Sequence, residues 1–322
     1  MATSVTVQRL DSSGPEASQQ LCCAICGTPE GEIVYRSTLA DATIRDGRID
    51  PYSAHYQINR CPRCGLVFSS PIFDTEQVRE LYVASTETNI AVGEDANGRR
   101  TMERYYALLR PALTRRERVL DIGCDVGHML DIARLDGFSG LHGVEPVGAA
   151  ARVAETIPGA TITTDFYEDH AYPPDYFDLI TLIHVVDHLV EPSMLLERAW
   201  KQLKPGGAIF AVVHNSDSLL ARALGERFPP YNLFHNYFFS SSTLARLFQK
   251  CAFEIVDVVP TYNSYSLGFL VDKTPIPPIR RVVARVVTLA HLNALVLTIP
   301  LGNIGIVARR PLASSDDARS RR

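Results

Sequence analysis

Short apolar runs alternate with amphipathic segments over the second half of the chain. From Arg118 onward, each run of β-type composition is followed by a segment whose apolar residues recur at helical spacing. Strands that alternate with helices in this way form a mostly parallel sheet with helices on both faces. Pro192 at the start of one predicted helix and Gly206-Gly207 after its end agree with this pattern. The predicted strand-helix pairs are 119–120 with 128–135, 141–144 with 149–156, and 177–186 with 192–203, and later strands are 208–214, 254–259 and 304–308.

Two amphipathic segments and a polar segment between them precede this region. Residues 74–82 begin with an Asp cap, and residues 101–113 repeat the same apolar spacing, so both are predicted helices. Residues 85–100 are polar and contain two glycines, which is typical of a mobile loop. Because this loop directly precedes the predicted sheet, we interpret it as a possible lid.

A long apolar stretch over 282–300 is about the length of a membrane-spanning helix. It is interrupted by Arg285, His291 and Asn293, and a charged residue inside a span costs about 2.5–3.5 kcal/mol. The apolar spacing also fits a helix that packs on a domain or faces a partner. We therefore predict a helical insertion over about 275–300 and no transmembrane span, with peripheral contact with a membrane surface as the alternative.

The composition limits the class of protein and its compartment. The chain has 322 residues, 46% of them hydrophobic, which is enough for a full α/β core and a smaller module. Its net charge is −4, whereas nucleic-acid binders carry an excess of positive charge that attracts phosphates. No nucleic-acid partner is therefore expected. Residues 1–20 do not have the pattern of a signal peptide and predict a disordered tail. Seven cysteines, four of them in Cys-x-x-Cys pairs, suit a reducing compartment, so we predict a cytoplasmic protein.

The first strand-to-helix turn of the predicted sheet carries two glycines, Gly123 and Gly127. Glycine permits positive φ and a close approach of the backbone to a ligand, and this turn is where such sheets bind their ligand. A dinucleotide site would show Gly-x-Gly-x-x-Gly, whereas this loop contains the acids Asp121 and Asp125. Two carboxylates repel a diphosphate but favour a ligand with a sulfonium and an ammonium group. The loop therefore favours S-adenosylmethionine over NAD.

Two further positions fit the other parts of such a ligand. Glu145 follows the second predicted strand, where a carboxylate can accept hydrogen bonds from both ribose hydroxyls. Asp165 and Phe166 follow the third, where they could bind the adenine amino group and ring edge. A capped turn with a core aromatic residue is an equally open interpretation of that pair.

Four cysteines form two matching knuckles, Cys-Ala-Ile-Cys-Gly and Cys-Pro-Arg-Cys-Gly. Two such pairs complete a tetrahedral thiolate site for zinc, and four protein ligands leave no open position, so the predicted role is structural. Cys22 is an alternative ligand, but the symmetry of the knuckles favours its neighbour. The predicted ligands are Cys23, Cys26, Cys61 and Cys64.

Candidate catalytic residues follow the fourth predicted strand. Methyl transfer needs a positioned nucleophile and often a base, and histidine suits a base near neutral pH. His184 and His188 would share a face if this segment is helical, and Asp187 could orient a neighbouring imidazole. His188 is the first choice for the base, and stabilisation of the loop is the alternative role. His214 ends the next strand, and His235 lies in an aromatic group that could line an acceptor pocket.

The order of five motifs resembles the class I S-adenosylmethionine-dependent methyltransferases. These motifs are Val-Leu-Asp-Ile-Gly-Cys, Gly-Val-Glu-Pro, Phe-Asp-Leu-Ile, His-Val-Val-Asp-His-Leu and Leu-Lys-Pro-Gly-Gly, and the resemblance covers about 118–253 and 302–309. It implies an α/β, Rossmann-like fold with a mostly parallel seven-stranded sheet and helices on both faces. One departure is Asp125, which occupies a position that is commonly Gly. By the resemblance, Asp121, Gly123 and Gly127 contact the methionine part, Glu145 the ribose, and Asp165 and Phe166 the adenine.

A zinc knuckle ahead of such a domain is similar to the sugar C-methyltransferases that act on nucleotide-linked keto-deoxysugars, and to related O-methyltransferases. In those sugar enzymes an acid-histidine pair lies in the substrate site, which corresponds to Asp187 and His188. The chain after Val259 is shorter than in those enzymes. We therefore expect a methyltransferase acting on an oxygen or carbon of a small molecule, such as a nucleotide-linked sugar or a natural-product intermediate. The first alternative is a non-catalytic zinc-bearing partner protein on a degenerate fold, suggested by Asp125 and by the apolar helix near Val282. The second is an RNA methyltransferase.

These observations divide the chain into five predicted parts. They are a disordered tail over 1–20, a zinc-binding module over 21–72, a helical connector and possible lid over 73–113, a methyltransferase domain over 114–312, and a second disordered tail over 313–322.

Overall fold

A computed structural model describes residues 17–45, 48–86, 94–273 and 277–312. The strands in these ranges are β1 (Glu32–Tyr35), β2 (Ile44–Arg45), β3 (Arg48–Ile49), β4 (Ile58–Arg60), β5 (Val67–Ser69), β6 (Arg118–Ile122), β7 (Gly140–Val144), β8 (Ala160–Thr163), β9 (Phe177–Ile183), β10 (Leu203–His214), β11 (Tyr237–Phe238), β12 (Glu254–Ser266) and β13 (Val296–Arg309). The α-helices are α1 (Thr75–Thr86), α2 (Asp95–Leu109), α3 (His128–Leu135), α4 (Gly148–Ala154), α5 (Pro192–Gln202), α6 (Leu219–Leu224), α7 (Ser241–Lys250), α8 (Leu267–Asp272) and α9 (Pro277–Leu289).

The larger sheet has seven strands in the order β12-β13-β10-β9-β6-β7-β8. Strands β8, β7, β6, β9 and β10 run parallel to one another, and β13 runs antiparallel to both β10 and β12. The chain leaves β6 toward β7 on one side and returns to β9 on the other. This reversal is the switch point at which open α/β sheets bind ligands. The predicted Rossmann-like, mostly parallel seven-stranded sheet is confirmed.

Adjacent residues of the central strands pack into different apolar clusters. Val119 and Leu179 belong to a cluster with residues of α2 and α3, whereas Leu120 and Ile180 belong to a cluster with residues of α5 and α7. This follows from the two-residue period of a strand, which sends neighbouring side chains to opposite faces. Strands buried on both faces read as continuous apolar runs. The sheet is therefore covered by helices on both faces, as predicted.

A second sheet joins the N-terminal module to the larger domain. Its order is β1-β4-β5-β11, and β11 comes from a segment far along the chain. Tyr237 of β11 pairs with Phe68 of β5, and its hydroxyl donates to the carbonyls of Cys22 at 3.1 Å and Val190 at 3.2 Å. The cysteine module is thus fixed to the turn after β9, close to the candidate catalytic residues of that turn.

The polar segment predicted as a loop is partly helical. Helix α2 begins at Asp95 and includes 95–100, whereas 87–93 lies outside the described residues. Thr101 is buried and its hydroxyl both donates to the Asn97 carbonyl at 3.0 Å and accepts from the Ser264 amide at 2.9 Å. Packing against β12 therefore extends the helix beyond what the apolar spacing predicted. The lid function stays a prediction.

The predicted helical insertion is shorter than expected. Helix α9 ends at Leu289, and Val296 to Pro300 belong to β13, where Val296 pairs with Ser266 and Ile299 with Asn263 of β12. Pairing with a neighbouring strand, which local apolar spacing does not report, overrides the helical pattern there. Across the described ranges, no helix combines the length and apolarity needed to cross a membrane.

The chain termini differ in part from the predicted tails. Residues 1–16 and 313–322 lie outside the described residues. Gln19, inside the predicted N-terminal tail, forms a β-bridge with Ile72, with the amide of each donating to the carbonyl of the other at 2.9 Å. Residues 17–20 therefore belong to the folded module.

Candidate functional site

The turn between β6 and α3 adopts the conformation that its glycines permit. Gly123 and Gly127 have φ of +70° and +85°. A Cβ on Gly127 would lie 2.4 Å from Cδ1 of Ile157 and 3.2 Å from Cα of Ala154, so close packing as well as backbone conformation favours glycine there. Asp125 also has positive φ, +47°, and Asp is one of the few side chains that tolerate this region. Asp125 is therefore compatible with a loop of the expected shape.

Three carboxylates converge on this turn. Asp121 is 2% exposed and accepts a hydrogen bond from the Thr181 hydroxyl at 2.6 Å. Glu145, 3% exposed, accepts from the Asp125 amide at 3.0 Å through Oε2 and from the Val147 amide at 2.8 Å through Oε1. Each carboxylate oxygen has a second lone pair, so Glu145 retains the capacity to accept ribose hydroxyls.

The electrostatics of this group suit a cationic ligand. Burial, and then the charges of Glu145 and Asp125, raise the pKa of Asp121 to about 8. Burial is also the largest cause of the raised pKa of Glu145. Like charges in a poorly solvated site disfavour each other's ionised form, and a nearby positive charge reverses that effect. A sulfonium and an ammonium group fit this donor set, whereas a diphosphate does not.

Asp165 and Phe166 follow β8, as predicted, but they are occupied by local contacts. Asp165 Oδ1 accepts from the Phe166 amide at 2.8 Å, and the guanidinium of Arg79 lies 4.5 Å from the Phe166 ring centroid. Arg79 also forms an ion pair with Asp169 at 2.8 Å. Helix α1 thus covers this aromatic ring, and the contact of the pair with adenine remains a prediction.

The segment after β9 is a turn and not the predicted helix, and it places His184 and His188 differently from the prediction. Residues 184–188 form a turn that begins with His184 at φ +54°, so His184 and His188 do not share a helical face. The Asp187 carbonyl accepts the amides of Asn236 at 2.9 Å and Tyr237 at 3.1 Å. These two hydrogen bonds hold the neighbouring His235 beside the turn after β9.

Asp187 orients His214 rather than its sequence neighbour. Its carboxylate is 1% exposed, and Oδ2 accepts from Nδ1 of His214 at 3.0 Å. His188 instead donates through Nδ1 to the Phe234 carbonyl at 2.9 Å. The ring centroids of His188 and His235 are 4.3 Å apart, and those of His184 and His214 are 4.7 Å apart. The acid-histidine pair that the structure forms is Asp187 with His214.

The histidine cluster consists of Asp187 and the four histidines His184, His188, His214 and His235. Burial and the Asp187 carboxylate determine the charge states within it. Burial lowers the pKa of His184 to about 3 and also lowers the pKa values of His188 and His235, so these imidazoles are neutral at pH 7. Burial alone would raise the pKa of Asp187, but the hydrogen bond from His214 and the nearby histidines hold it well below its ordinary value. The cluster therefore combines one carboxylate with the neutral imidazoles of His184, His188 and His235.

Tyr82 of α1 links the acidic turn to the histidine cluster. Its ring centroid lies 5.9 Å from that of His188. Burial, and then the charges of Glu145 and Asp125, raise the pKa of its hydroxyl. The sequence indicated Tyr82 only as an apolar position of a helix, because nothing local shows which end of the sheet α1 covers.

The four predicted cysteines form one group. Their Sγ atoms lie within 4.8 Å of one another, and Cys22 is exposed outside the group. The two knuckles share the same geometry, because the amides of Gly27 and Gly65 donate to the first-cysteine carbonyls at 2.8 and 2.9 Å. Both glycines have positive φ, +70° and +79°. Such a set of four thiols has the chemistry and shape of a closed zinc site.

A glycine turn at the switch point of a parallel sheet, surrounded by three carboxylates, defines an α/β protein that binds a cationic cofactor. The model of a family described as a methyltransferase domain matches residues 95–258, about half of the chain, and the chain belongs to that family. It is therefore a class I S-adenosylmethionine-dependent methyltransferase, in agreement with the sequence-based expectation. The family's cofactor matches the charge of the carboxylate group.

Similar proteins include enzymes with a stated oxygen acceptor. The ubiquinone biosynthesis O-methyltransferase of Aeromonas salmonicida is 26% identical over 174 residues, which are 48% of this chain and 73% of the relative. The enzyme of the same name from Vibrio cholerae is 28% identical over 173 residues, with 48% and 71% coverage. A solved methyltransferase from Thermotoga maritima, titled a possible histamine N-methyltransferase, aligns at 18% identity with a TM-score of 0.48 over 73% of this chain and 99% of that chain.

Proposed function

We propose that this enzyme methylates a hydroxyl oxygen of a small molecule and that the Asp187–His214 pair removes the hydroxyl proton. The observation that carries the proposal is the 3.0 Å hydrogen bond from His214 Nδ1 to Asp187 Oδ2. Because that bond places a proton on Nδ1, Nε2 is the ring nitrogen of His214 that can take the acceptor proton. A base oriented by a buried carboxylate is the arrangement that general-base catalysis requires.

An oxygen acceptor is also supported by the relatives. The Aeromonas and Vibrio enzymes are O-methyltransferases by name, and the match covers nearly three quarters of each. The sequence-based expectation included carbon acceptors and nucleotide-linked sugars, and both remain outcomes of the test.

The residues of the chain would divide the reaction as follows. S-adenosylmethionine supplies a methyl carbon activated by a sulfonium. Asp121, Asp125 and Glu145 would hold that cation and its ribose. Transfer of the methyl group to the acceptor oxygen would break the sulfur–methyl bond and release S-adenosylhomocysteine, and His214 Nε2 would take the proton of the acceptor hydroxyl. Asp187 then stabilises the imidazolium, as a carboxylate does in other acid-histidine pairs. Tyr82, whose ring packs against those of His188 and Phe234, would help exclude water.

The zinc assignment is part of this proposal. Cys23, Cys26, Cys61 and Cys64 would hold one structural zinc ion, since four protein ligands leave no position for substrate. The ion would fix β1, β4 and β5, which pair through β11 with the segment that presents His235. Its effect on the reaction would therefore be indirect.

The test is transfer of labelled methyl from S-adenosylmethionine to a panel of phenols, other hydroxylated metabolites and nucleotide sugars. NMR of the product distinguishes an O-methyl from a C-methyl group. The proposal predicts an O-methyl product from at least one hydroxylated acceptor, with transfer strongly reduced in His214→Ala. His291→Asn is the control, because His291 is exposed, lies outside the cluster and has φ +57°, which Asn tolerates. A C-methyl product, an RNA acceptor or full activity in His214→Ala would contradict it.

A further inference from the structure

We infer that Asp187, His188 and His235 form a second metal site, for a divalent transition-metal ion such as Zn²⁺, Fe²⁺ or Co²⁺. One ligand atom from each of these residues lies within 4.8 Å of the others. Nε2 of His235 is 3.9 Å from Oδ2 of Asp187. Two ligands that are each about 2.0–2.2 Å from a shared ion approach each other to roughly 3–3.5 Å, so small side-chain movements would complete the site.

The hydrogen bonds around the two imidazoles prepare them as ligands. His188 Nδ1 must donate to the Phe234 carbonyl, at 2.9 Å, because a carbonyl can only accept. His235 Nδ1 faces Oδ1 of Asn232 at 3.0 Å. The orientation of that amide is fixed, since its oxygen also accepts from the Phe234 amide at 2.9 Å and its nitrogen donates to the Pro229 carbonyl at 3.0 Å.

Both histidines therefore carry their proton on Nδ1 and present the lone pair of Nε2. Ligating histidines in metalloproteins have this arrangement, with the other ring nitrogen donating to a carbonyl or carboxylate that fixes the ring. Packing in an apolar core does not require the proton to be on one particular ring nitrogen, whereas metal coordination through Nε2 requires it on Nδ1.

Unsatisfied buried atoms point to a ligand independently of the tautomers. Among the described residues, Oδ1 of Asp187 and Nε2 of His235 are buried without a hydrogen-bond partner. The two residues are 1% and 6% exposed. Leaving such an atom unpaired costs about 1–3 kcal/mol, and more for a charged group. One cation bound by the Asp187 carboxylate and His235 Nε2 would give both residues a partner.

We place His214 outside the ligand set, as a residue that orients Asp187 by a hydrogen bond. It reaches Asp187 through Nδ1, whose hydrogen bond it would lose by coordinating through that atom. The remaining ligand set of two imidazoles and one carboxylate is typical of zinc and non-haem iron, whereas magnesium and calcium prefer oxygen ligands. Three protein ligands also leave coordination positions open, unlike the cysteine site.

The metal site does not depend on the proposed acceptor chemistry, although it would deepen it. An acceptor hydroxyl bound to the ion beside His214 would have its pKa lowered, as metal-bound water does. That role rests on the proposed function. The presence of the site can be measured without any methyl transfer.

Cobalt titration of the full-length protein, freed of metal and kept reduced, separates the two sites. Co²⁺ in the cysteine site gives intense thiolate-to-metal absorption, whereas Co²⁺ on imidazole and carboxylate gives only weak visible bands. We expect two equivalents per wild-type chain by elemental analysis. Asp187→Asn and His235→Ala should each lose one equivalent, or bind it at least tenfold more weakly, and keep the thiolate band. A Cys61→Ser/Cys64→Ser variant should lose the thiolate band and retain the weak bands.

His291→Asn serves as the matched control and should bind two equivalents. A wild-type chain that binds one equivalent, carrying only the thiolate band, would overturn the second site whether or not any variant folds. Retention of two equivalents in both His235→Ala and His188→Ala would also overturn it. Either result leaves the labelled-methyl assay as a separate test of the proposed function.

Discussion

Oδ2 of Asp187 accepts a hydrogen bond from Nδ1 of His214 at 3.0 Å, joining the turn after β9 to the end of β10. If this pair takes the acceptor proton, Asp187→Asn removes the carboxylate that fixes the tautomer, and His214→Ala removes the base. We expect each change to lower kcat by roughly 10²–10⁴-fold. The affinity for S-adenosylmethionine, measured by calorimetry, should change little. A loss of affinity equal to the loss of rate would indicate a structural role instead.

Cofactor affinity should depend on pH through Asp121. Because the pKa of Asp121 is raised to about 8, this carboxyl is largely protonated at pH 6, and a cationic cofactor favours its ionised form. Binding should therefore tighten as the pH rises from 6 to 8 and release protons, which titration in buffers of different ionisation enthalpy measures. Asp121→Asn should remove the dependence, and Asp257→Asn, at an exposed position outside the site, should retain it. Uptake of protons on binding would contradict the assignment.

The same carboxyl predicts a trend in the stability of the cofactor-free protein. The folded chain binds the Asp121 proton more tightly than the unfolded chain, since the pKa rises from 3.8 to about 8 on folding. The stability that this group contributes is fully present below its unfolded pKa and is lost as the pH rises toward about 8. Comparison of the wild-type and Asp121→Asn melting temperatures across this range measures it. Parallel curves would show that the carboxyl is not perturbed.

Glu145 should contribute to cofactor binding directly. Its carboxylate fixes the Asp125 and Val147 amides and would accept the ribose hydroxyls. We expect Glu145→Ala to weaken S-adenosylmethionine binding at least tenfold, or about 1.4 kcal/mol. Glu155→Ala, at an exposed position after α4, is the control. Unchanged affinity in a folded Glu145→Ala protein would count against this cofactor site.

Gly127 should be more sensitive to substitution than a glycine with the same backbone conformation. Gly127 and Gly159 have φ of +85° and +81°, so alanine is strained at both. Only at Gly127 would the added Cβ also meet Ile157, at 2.4 Å, whereas nothing lies within 4 Å at Gly159. We expect chemical denaturation to show an additional loss of roughly 1–3 kcal/mol in Gly127→Ala. Equal losses would mean that the loop packs more loosely.

The sequence predicted those features that depend on local spacing. The glycine turn with Asp121 and Glu145 follows predicted strands, and the cysteine knuckles carry their geometry in two residues between thiols. A turn and a knuckle are formed by a few consecutive residues, so local reasoning is sufficient for them.

The partner of Asp187 could not be predicted in this way. It depends on the parallel register that pairs Ile183 with Val212 and so brings His214 beside the turn after β9. The position of His235 depends likewise on the amides of Asn236 and Tyr237 reaching the Asp187 carbonyl. The end of α9 was missed for a related reason, because the antiparallel pairing of β13 with β12 decides it.

In the proposed reaction the acidic turn binds the methyl donor and the Asp187–His214 pair activates a hydroxyl oxygen of the acceptor. The most direct measurement is a single-turnover reaction of wild-type and His214→Ala protein, each loaded with methyl-labelled S-adenosylmethionine and mixed with the best hydroxylated acceptor. The predicted result is one O-linked labelled methyl per wild-type chain, with equal cofactor loading but at least a hundredfold slower transfer in the variant, about 2.7 kcal/mol. Equal transfer rates in the two proteins, or no cofactor bound to the wild-type chain, would contradict the account.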